Sequence, residues 1–124
     1  TGANEVIRTI ASQQKLNLIA ILNDKIADGR DVSWIWDTNW EILHEKIYSL
    51  AISGTRAWDL ATRLKYAGIK LSKNNVNKDI DYSIERSLDS LNNKDTLIIL
   101  PTYTALLEVQ KTLAKLGGEK WHEQ

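Results

Sequence analysis

The hydrophobic pattern of the chain consists of short apolar runs separated by longer segments with helical spacing. Four of these runs predict β-strands, at residues 18–22, 47–52, 69–71 and 96–100. The first and the last runs are almost continuously apolar, which is typical of strands that are covered on both faces. The pattern therefore predicts a sheet of about four or more strands with helices packed against it.

The segments around the strands carry apolar residues three or four positions apart, the spacing of a helix with one buried face. Glycine follows two of these stripes, at Gly68 and at Gly117-Gly118, and predicts where those helices end. Helices that alternate with buried strands predict an α/β fold with a mainly parallel sheet and right-handed crossovers. The four stripes are Val6, Ile7 and Ile10; Ala57, Leu60, Ala61, Leu64 and Ala67; Ile80, Ile84, Leu88 and Leu91; and Leu106, Val109, Leu113 and Leu116.

One domain accounts for the whole chain, because 124 residues suffice for a single hydrophobic core. Residues 118–124 are expected to form a frayed tail. In open parallel sheets, ligands and partners meet the loops beyond the carboxyl ends of the strands. The loops expected at this edge start at residue 23 and at residues 53–56, 73–77 and 101–104. The loop from residue 23 is unusually long and polar, so the functional site is predicted there.

Composition narrows the possible function classes. Sixteen basic residues balance sixteen acidic residues, so net charge does not favour nucleic acid or an anionic membrane as a partner. The absence of cysteine excludes disulfides, thiolate metal sites and a cysteine nucleophile in this sequence. Neither a transmembrane segment nor a signal peptide is visible, so a cytoplasmic location is expected. The sequence also lacks methionine, which indicates a processed or excised fragment.

Residues 23–37, the acidic loop, hold four aspartates against two basic residues. Asp28-Gly29 is typical of a turn, because glycine tolerates a positive φ. Asp31 or Ser33 is placed to cap a short helix that follows. For each of these residues taken alone, capping, turn formation or packing is a better explanation than a functional role. The cluster as a whole, on a ligand-facing edge, favours a functional role at least as strongly.

Other chemical signatures are weak. The aspartates lack the spacing of a calcium loop, and neither His44 nor His122 lies in a metal-ligand motif. No serine has the Gly-x-Ser-x-Gly setting of a hydrolase nucleophile. The turn at residues 53–56 either binds a phosphate on its N–H groups or contains a helix cap, at Ser53 or Thr55, and capping is favoured. The domain therefore offers acids without a nucleophile, which a partner would have to supply.

Four motifs run through most of the chain. They are Asn23-Asp24-x-x-Ala27-Asp28-Gly29-Arg30-Asp31-x-Ser33-Trp34-Ile35-Trp36-Asp37, Ser53-Gly54-Thr55-Arg56-Ala57, Arg63-Leu64-Lys65 and Pro101-x-Tyr103-Thr104. Together they resemble the C-terminal domain of the MurT family, the Mur-ligase-like subunits of lipid II isoglutaminyl synthase. The resemblance implies a Rossmann-like three-layer fold, similar to that of a Mur ligase C-terminal domain.

The resemblance also implies a two-subunit amidotransferase of peptidoglycan synthesis. MurT activates the α-carboxylate of D-glutamate in the lipid II stem peptide with ATP, at the inner face of the membrane. Ammonia from the glutaminase GatD then gives D-isoglutamine. GatD brings a cysteine and a histidine but lacks the usual acidic third member of the triad. The C-terminal domain docks on GatD and supplies this acid, at the position of Asp31 in this sequence.

Weaker expectations concern the rest of the loop and the cofactors. Asp28, Gly29, Arg30, Trp34 and Trp36 are expected to support the loop or to contact the partner. No metal or cofactor is expected in this domain. The resemblance assigns ATP and Mg²⁺ to a central domain and zinc to a cysteine-rich insertion, and this sequence contains neither. The isolated domain is therefore expected to be inactive.

Three hypotheses follow from the sequence. In the first, the domain docks the partner and contributes Asp31 to catalysis. In the second it is a docking scaffold, and Asp31 only caps a helix. In the third it binds a small ligand or phosphate at residues 53–56. The residues alone do not choose among Asp24, Asp28, Asp31 and Asp37 as the acid, so the assignment to Asp31 rests on the resemblance.

Overall fold

The computed structural model describes the backbone of residues 2–123 and the side chains of residues 2–117. Among these residues, every helix lacks the combination of length and apolar character that a membrane crossing requires. Short 3₁₀ helices lie in the loops, at Ile26–Asp28, Ser33–Asp37, Trp40–Leu43 and Lys73–Asn75. The longer elements are α1 (Gly2–Ile10), β1 (Leu16–Ile21), β2 (Ile47–Ser53), α2 (Ala57–Tyr66), α3 (Ile80–Asp89), β3 (Leu97–Pro101) and α4 (Tyr103–Glu123).

The sheet is parallel, with the strand order β2-β1-β3. Ile19 of β1 pairs with Ala51 of β2 on one side and with Ile99 of β3 on the other. All six residues of β1 are buried, which confirms the prediction that the first run is covered on both faces. The residues of β3 are only partly buried, because β3 is an edge strand in the described part of the chain. The prediction of complete cover is therefore wrong for the last run.

Alternate side chains of β1 point into two separate hydrophobic layers, as the pleat of a strand requires. Leu18 and Ala20 pack with the apolar faces of α1 and α2, whereas Ile19 and Ile21 pack with α3 and α4. Each of these leucine and isoleucine side chains, fully buried, stabilises the fold by roughly 1.5–3 kcal/mol relative to an exposed one. The α/β class and the three-layer, Rossmann-like arrangement are therefore confirmed.

The prediction of a fourth strand is wrong for the described residues, where the sheet has three strands rather than four or more. Residues 69–71 form no ladder, because the turn Lys73–Asn75 diverts the chain directly after this short run. The chain reaches β2 only later, where Val76 forms a single parallel bridge with Ile52. The loop at residues 73–77 was predicted to follow the end of a strand. It runs beside β2 instead.

The predicted helices before β1, after β2 and before β3 are confirmed. Ile7 of α1, Leu60 of α2 and Ile84 of α3 lie in the core. Helix α2 ends at Tyr66, and Gly68 follows with a φ of 89°. The glycine that was predicted to end this helix therefore takes the backbone conformation typical of a helix C-terminus.

Helix α4 differs from its prediction in two ways. It continues through the Gly117-Gly118 pair and ends at Glu123, so these glycines do not stop it. Val109 and Leu116 of the predicted stripe pack in the core, whereas Leu106 and Leu113 are 41% and 40% exposed, and Ala105 and Thr112 are buried instead. The hydroxyl of Thr112 donates to the carboxylate of Asp81 on α3. The frayed tail at residues 118–124 stays a prediction, and Gln124 lies outside the described residues.

Candidate functional site

The carboxyl-end edge of the sheet is organised around Asn23, which is 2% exposed. Its backbone N–H donates to Oγ1 of Thr102 at 3.0 Å, and its Nδ2 donates to Oγ1 of Thr104 at 3.0 Å. Its Oδ1 accepts a hydrogen bond from the N–H of Thr55 at 3.0 Å. One buried residue thus joins the loops that follow β1, β2 and β3. Beyond the place of Asn23 in a motif, no feature of the sequence indicated this role.

Gly54 allows the loop after β2 to approach this residue closely. Its φ is 100°, a conformation that favours glycine. A Cβ at this position would lie 2.4 Å from the carbonyl oxygen of Leu22 and 2.9 Å from Oδ1 of Asn23. Both distances are too short for a nonbonded contact, and the first involves backbone that cannot move aside. The site therefore requires glycine at position 54.

Asp24 joins the same loop through a charged network. Its Oδ1 accepts from the hydroxyl of Thr55 at 2.9 Å, and its Oδ2 accepts from Nη1 of Arg56 at 3.2 Å. Nε of Arg56 also donates to Oδ2 of Asp59 at 2.6 Å. The bond from Thr55, and then that from Arg56, lowers the pKa of Asp24, while Arg56 lowers the pKa of Asp59. Both oxygens of Asp24 are therefore engaged in holding the loop.

The turn after β2 is poorly suited to binding a phosphate. The N–H groups of Thr55 and Arg56 already donate to Oδ1 of Asn23 and to the carbonyl of Leu22, at 3.0 and 2.9 Å. A phosphate would have to displace both bonds, so the geometry counts against the phosphate-binding hypothesis. The predicted capping of α2 by Ser53 or Thr55 is also wrong, because Arg56 occupies the N-cap position.

Asp28 connects the acidic loop to the first turn of α4. Its Oδ1 accepts from the N–H of Thr104 at 2.7 Å, and its Oδ2 accepts from the hydroxyl of Thr104 at 2.5 Å. Oδ2 also accepts from the N–H of Lys25 at 3.1 Å. A carboxylate at a helix N-terminus interacts favourably with the helix dipole. Gly29 follows with a φ of 87°, which confirms the predicted turn.

Asp31 is exposed at the rim of the acidic loop. Its Oδ1 accepts from the N–H of Ser33 at 2.8 Å, and Ser33 is the first residue of the 3₁₀ helix Ser33–Asp37. Val32 occupies the N-cap position of this helix without a side-chain cap bond, so the prediction that Asp31 or Ser33 caps the helix is wrong, and Asp31 instead bonds its first residue from outside. Hydrogen bonding from Ser33, mainly through its backbone N–H, lowers the pKa of Asp31. Among the described residues its carboxylate makes no further hydrogen bond, so Oδ2 is left as an accessible, ionised acceptor.

A shallow pocket of 290 Å³ lies beside Asp31. Trp36, which is 50% exposed, contributes one wall and packs against the ring of Tyr66 with 5.7 Å between centroids. The structure therefore brings Arg30, Asp31 and Trp36, three of the predicted site residues, onto one surface. The polar and aromatic residues that line this pocket are Arg30, Asp31, Ser33, Trp36, Arg56 and Asp59.

The remaining loop residues lie elsewhere. Trp34 lines a separate apolar cavity of 530 Å³ together with Val6, Asp28 and Tyr103. This cavity lies between α1 and the end of β3 and is not part of the pocket beside Asp31. Asp37 is exposed, and no hydrogen bond to its carboxylate is present among the described residues. Asp28 and Trp34 are therefore separated from the surface that carries Asp31.

Arg63 belongs to a motif, but the sequence did not predict a role for it. It is 5% exposed, and it donates to the backbone carbonyls of Ile35 and Thr38 at 3.0 and 2.9 Å. Its guanidinium also pairs with the carboxylate of Glu41 at 3.0 Å, and this contact lowers the pKa of Glu41. An arginine beside the apolar stripe of α2 was the available signal, because buried arginines are rare unless paired.

The fold and its edge define an α/β domain that presents an oriented acid and contains no cysteine nucleophile. The MurT ligase C-terminal family matches residues 1–106 of the chain. Two relatives are the MurT subunits of lipid II isoglutaminyl synthase (glutamine-hydrolyzing) from two bacteria. The Staphylococcus aureus (strain COL) protein is 37% identical over 101 residues, which cover 79% of this chain and 22% of the relative. The Streptococcus pneumoniae (strain ATCC BAA-255 / R6) protein is 34% identical over 117 residues, which cover 91% of this chain and 25% of the relative.

The chain belongs to the MurT ligase C-terminal family, because the match extends over most of its length. The family that the four motifs indicated is therefore confirmed. The matched region ends at residue 106, just beyond Thr104, and thus includes the whole hydrogen-bonded edge around Asn23. The chain spans about a quarter or less of the length of these relatives.

Proposed function

We propose that this chain is the docking and acid-supplying domain of a lipid II isoglutaminyl synthase. In this proposal it binds the glutaminase subunit, GatD, and places Asp31 as the third member of the partner's catalytic triad. One contrast carries the proposal. The carboxylates of Asp24 and Asp28 are engaged on both oxygens, whereas Asp31 accepts a single bond, from Ser33, on an exposed rim.

Asp37 is the other exposed aspartate of the loop, and orientation separates it from Asp31. A triad acid has to be held in place, because it fixes the tautomer of the histidine and stabilises the imidazolium that forms during acyl transfer. Asp31 is oriented by Ser33 and lies beside a pocket that a partner side chain can enter. Asp37 has no such orienting bond among the described residues. These observations favour Asp31.

The chemistry of the proposed site divides between the two subunits. The cysteine of GatD is the nucleophile and its histidine is the base, while Asp31 accepts a hydrogen bond from the imidazole N–H through its open Oδ2. The lowered pKa of Asp31 keeps this carboxylate ionised at neutral pH, as the triad requires. An acid supplied by the second subunit ties glutamine hydrolysis to assembly and limits the loss of ammonia.

For the complete enzyme, we infer that ammonia amidates the ATP-activated α-carboxylate of D-glutamate in lipid II, at the cytoplasmic face of the membrane. The names of the relatives, which state lipid II, glutamine hydrolysis and a subunit, support this inference. The turn after β2 does not fit a nucleotide phosphate, because the N–H groups of Thr55 and Arg56 are engaged. We therefore assign ATP, Mg²⁺ and zinc to segments outside this sequence.

The test is glutamine hydrolysis by GatD together with the full-length subunit that contains this domain. Asp31→Asn keeps a side-chain oxygen that can accept from Ser33, so the fold and the complex are expected to persist. Hydrolysis is expected to fall about 10³- to 10⁴-fold, as for loss of a triad acid in a serine protease. Asp37→Asn is the matched control, with the same chemical change in the same loop, and is expected to retain activity.

Other outcomes would reassign the role of the loop. Near-normal hydrolysis by Asp31→Asn in an intact complex would leave the domain as a docking scaffold in which Asp31 only holds the N–H of Ser33. Loss of glutamine hydrolysis in Asp37→Asn alone would identify Asp37 as the catalytic acid. Complex formation should be followed by size-exclusion chromatography for each variant, so that loss of docking is not mistaken for loss of chemistry.

A further inference from the structure

Arg63 is a residue of α2, and its side chain is buried against the acidic loop and the residues that follow it. Its guanidinium contacts three acceptors. Nε donates to the carbonyl of Ile35 at 3.0 Å, and Nη2 donates to the carbonyl of Thr38 at 2.9 Å. Nη1 and Nη2 contact the two carboxylate oxygens of Glu41, each at 3.0 Å. The guanidinium carbon also lies 5.3 Å from the centroid of the Trp36 ring, within range of a cation–π contact.

Ile35 belongs to the 3₁₀ helix that follows Asp31, Thr38 comes directly after that helix, and Glu41 lies in the next 3₁₀ helix, Trp40–Leu43. Burial of a guanidinium is unfavourable unless its donors are satisfied, so the helix and Arg63 hold one another in a defined position. The planar fork of arginine matches acceptors at fixed angles, whereas the ammonium of lysine is a single point charge that cannot reach them all. The position of this segment relative to α2 therefore depends on arginine specifically.

Ser33 connects Asp31 to the residues that Arg63 contacts. Its carboxylate is held by the N–H of Ser33, and Ser33 lies two residues before Ile35 in the same 3₁₀ helix. The carbonyl of Ile35 accepts from Nε of Arg63 and also from Nε1 of Trp40 at 3.1 Å. A shift of Ile35 away from α2 would move Ser33, and with it the bond that orients Asp31.

We propose that Arg63 is the positioning residue for Asp31, fixing the 3₁₀ helix Ser33–Asp37 on α2 so that the carboxylate meets the partner's histidine. This proposal rests on the proposed function, because it gives Arg63 a role in hydrolysis only through Asp31. The competing explanation is that Arg63 stabilises the fold and nothing more. The two explanations differ in how the variants of Arg63 and Asp31 combine.

The experiment is a double-mutant cycle in the full-length subunit with GatD, in which glutamine hydrolysis is measured. Arg63→Lys is expected to lower kcat about 10- to 100-fold, since a displacement near 1 Å at a catalytic group can cost as much as 10²-fold. The KM for glutamine and complex formation should not change. In the Asp31→Asn background, Arg63→Lys should cause no further loss, because residues that act as a unit are non-additive.

The matched control is Arg86→Lys, which makes the same change on the exposed surface of α3, where Arg86 donates to Tyr82. It is expected to leave kcat unchanged. If Arg63→Lys fails to fold, Glu41→Gln replaces it, because Glu41 is half-exposed and its loss removes the charge that pairs with Arg63. A kcat loss of about 2- to 5-fold is then expected, again only when Asp31 is present.

The results separate the two proposals. If Arg63→Lys leaves kcat unchanged in a folded complex while Asp31→Asn abolishes hydrolysis, the positioning role is overturned and the catalytic acid stands. If the losses multiply in the double variant, Arg63 acts independently of Asp31 and the positioning role is again overturned. If Asp31→Asn hydrolyses glutamine normally, the proposed function fails and the positioning role fails with it.

Discussion

Asp28 and Asp31 lie three positions apart in one loop, and the structure uses their carboxylates in opposite ways. Asp28 belongs to the base of the loop, residues 23–28, where it accepts three hydrogen bonds from Thr104 and Lys25. Asp31 belongs to the outer part, residues 29–37, and accepts a single bond from Ser33. The base is fixed to other elements of the sheet edge, whereas the outer part presents an acceptor to the surroundings.

The comparison teaches that an acidic cluster can be divided into supporting and available groups by counting the hydrogen bonds to each carboxylate. A saturated carboxylate at a helix N-terminus has little capacity left for a partner. A carboxylate with one orienting bond keeps both its charge and a free oxygen. The four experiments below test this division between the base and the outer part, in order of decreasing expected effect.

The largest effect is expected from a methyl group at Gly54, in the neighbouring loop that packs against Asn23 at the base. Gly54→Ala places a Cβ 2.4 Å from the carbonyl of Leu22 and is expected to lower the free energy of unfolding by about 4 kcal/mol or more. Gly29→Ala is the matched control, because Gly29 has a similar φ with open space around its Cβ position, and it should cost about 1 kcal/mol. Urea unfolding measures both. Equal losses would contradict the steric explanation.

The next effect separates the two aspartates by stability. Asp28→Ala leaves the N–H groups of Thr104 and Lys25 without their acceptor, so a loss of about 3 kcal/mol in the free energy of unfolding is expected. Asp31→Ala removes one exposed bond and should cost a small fraction of that. Thermal and urea unfolding of the two variants, side by side, decide the comparison. A loss for Asp31→Ala as large as that for Asp28→Ala would show that both carboxylates support the fold equally.

A smaller effect is expected at the hydroxyl that links the base to α4. Thr104→Val keeps the shape and the backbone N–H but removes the group that donates to Asp28 and accepts from Asn23. The expected loss is about 1–2 kcal/mol in the free energy of unfolding. Thr104→Ser keeps the hydroxyl and should retain most of the stability. A Val variant as stable as the wild type would show that the backbone N–H alone secures the base.

The smallest effect is expected on the Tm when the pH is lowered. The pKa values of Asp24, Asp31 and Asp59 lie below their ordinary 3.8, and that of Glu41 lies below 4.5. A lowered pKa means that the folded state binds fewer protons, so these groups stabilise it above the ordinary values. Their contribution is lost progressively as the pH falls below 4.5 and through the depressed values. Tm measured between pH 7 and 3 should fall on acidification, and less steeply in Asp24→Asn. A Tm that rises towards pH 3 would contradict this sign.

The sequence predicted those parts of the molecule that depend on local periodicity. Helices α1 to α3 and the buried strand β1 follow from the spacing of residues such as Leu60 and Ile84, which pack where the stripes place them. The predicted fourth strand did not form because a run with only two apolar residues, Ile69 and Leu71, can pack against the core without forming a ladder. The face of α4 was predicted only in part: Val109 and Leu116 pack in the core, but Leu106 and Leu113 do not, and the polar Thr112 is buried where it bonds Asp81 of α3.

The candidate site was predictable in location but not in the roles of its residues. The strand-end rule placed the acidic loop correctly, because that rule depends only on topology. The division of labour among Asp24, Asp28 and Asp31 depends on partners such as Thr104, which no local pattern connects to the loop. Arg63 was missed for the same reason, since two of its three acceptors are backbone carbonyls that carry no sequence signal, and no local pattern connects it to the third, Glu41. The choice of Asp31 came from the family resemblance, and the hydrogen bonds supply a physical reason for it.

The connections made by Asn23 and Asp28 have a consequence for biosynthesis. They join the acidic loop to Thr102 and Thr104, between 76 and 81 positions later in the chain. Such long-range contacts form late, because a large loop of chain has to close before they contribute. On the ribosome the acidic loop emerges before its anchors, which appear only after β3 has been made. A chain that ends before Thr102 therefore lacks the support that holds the acidic loop.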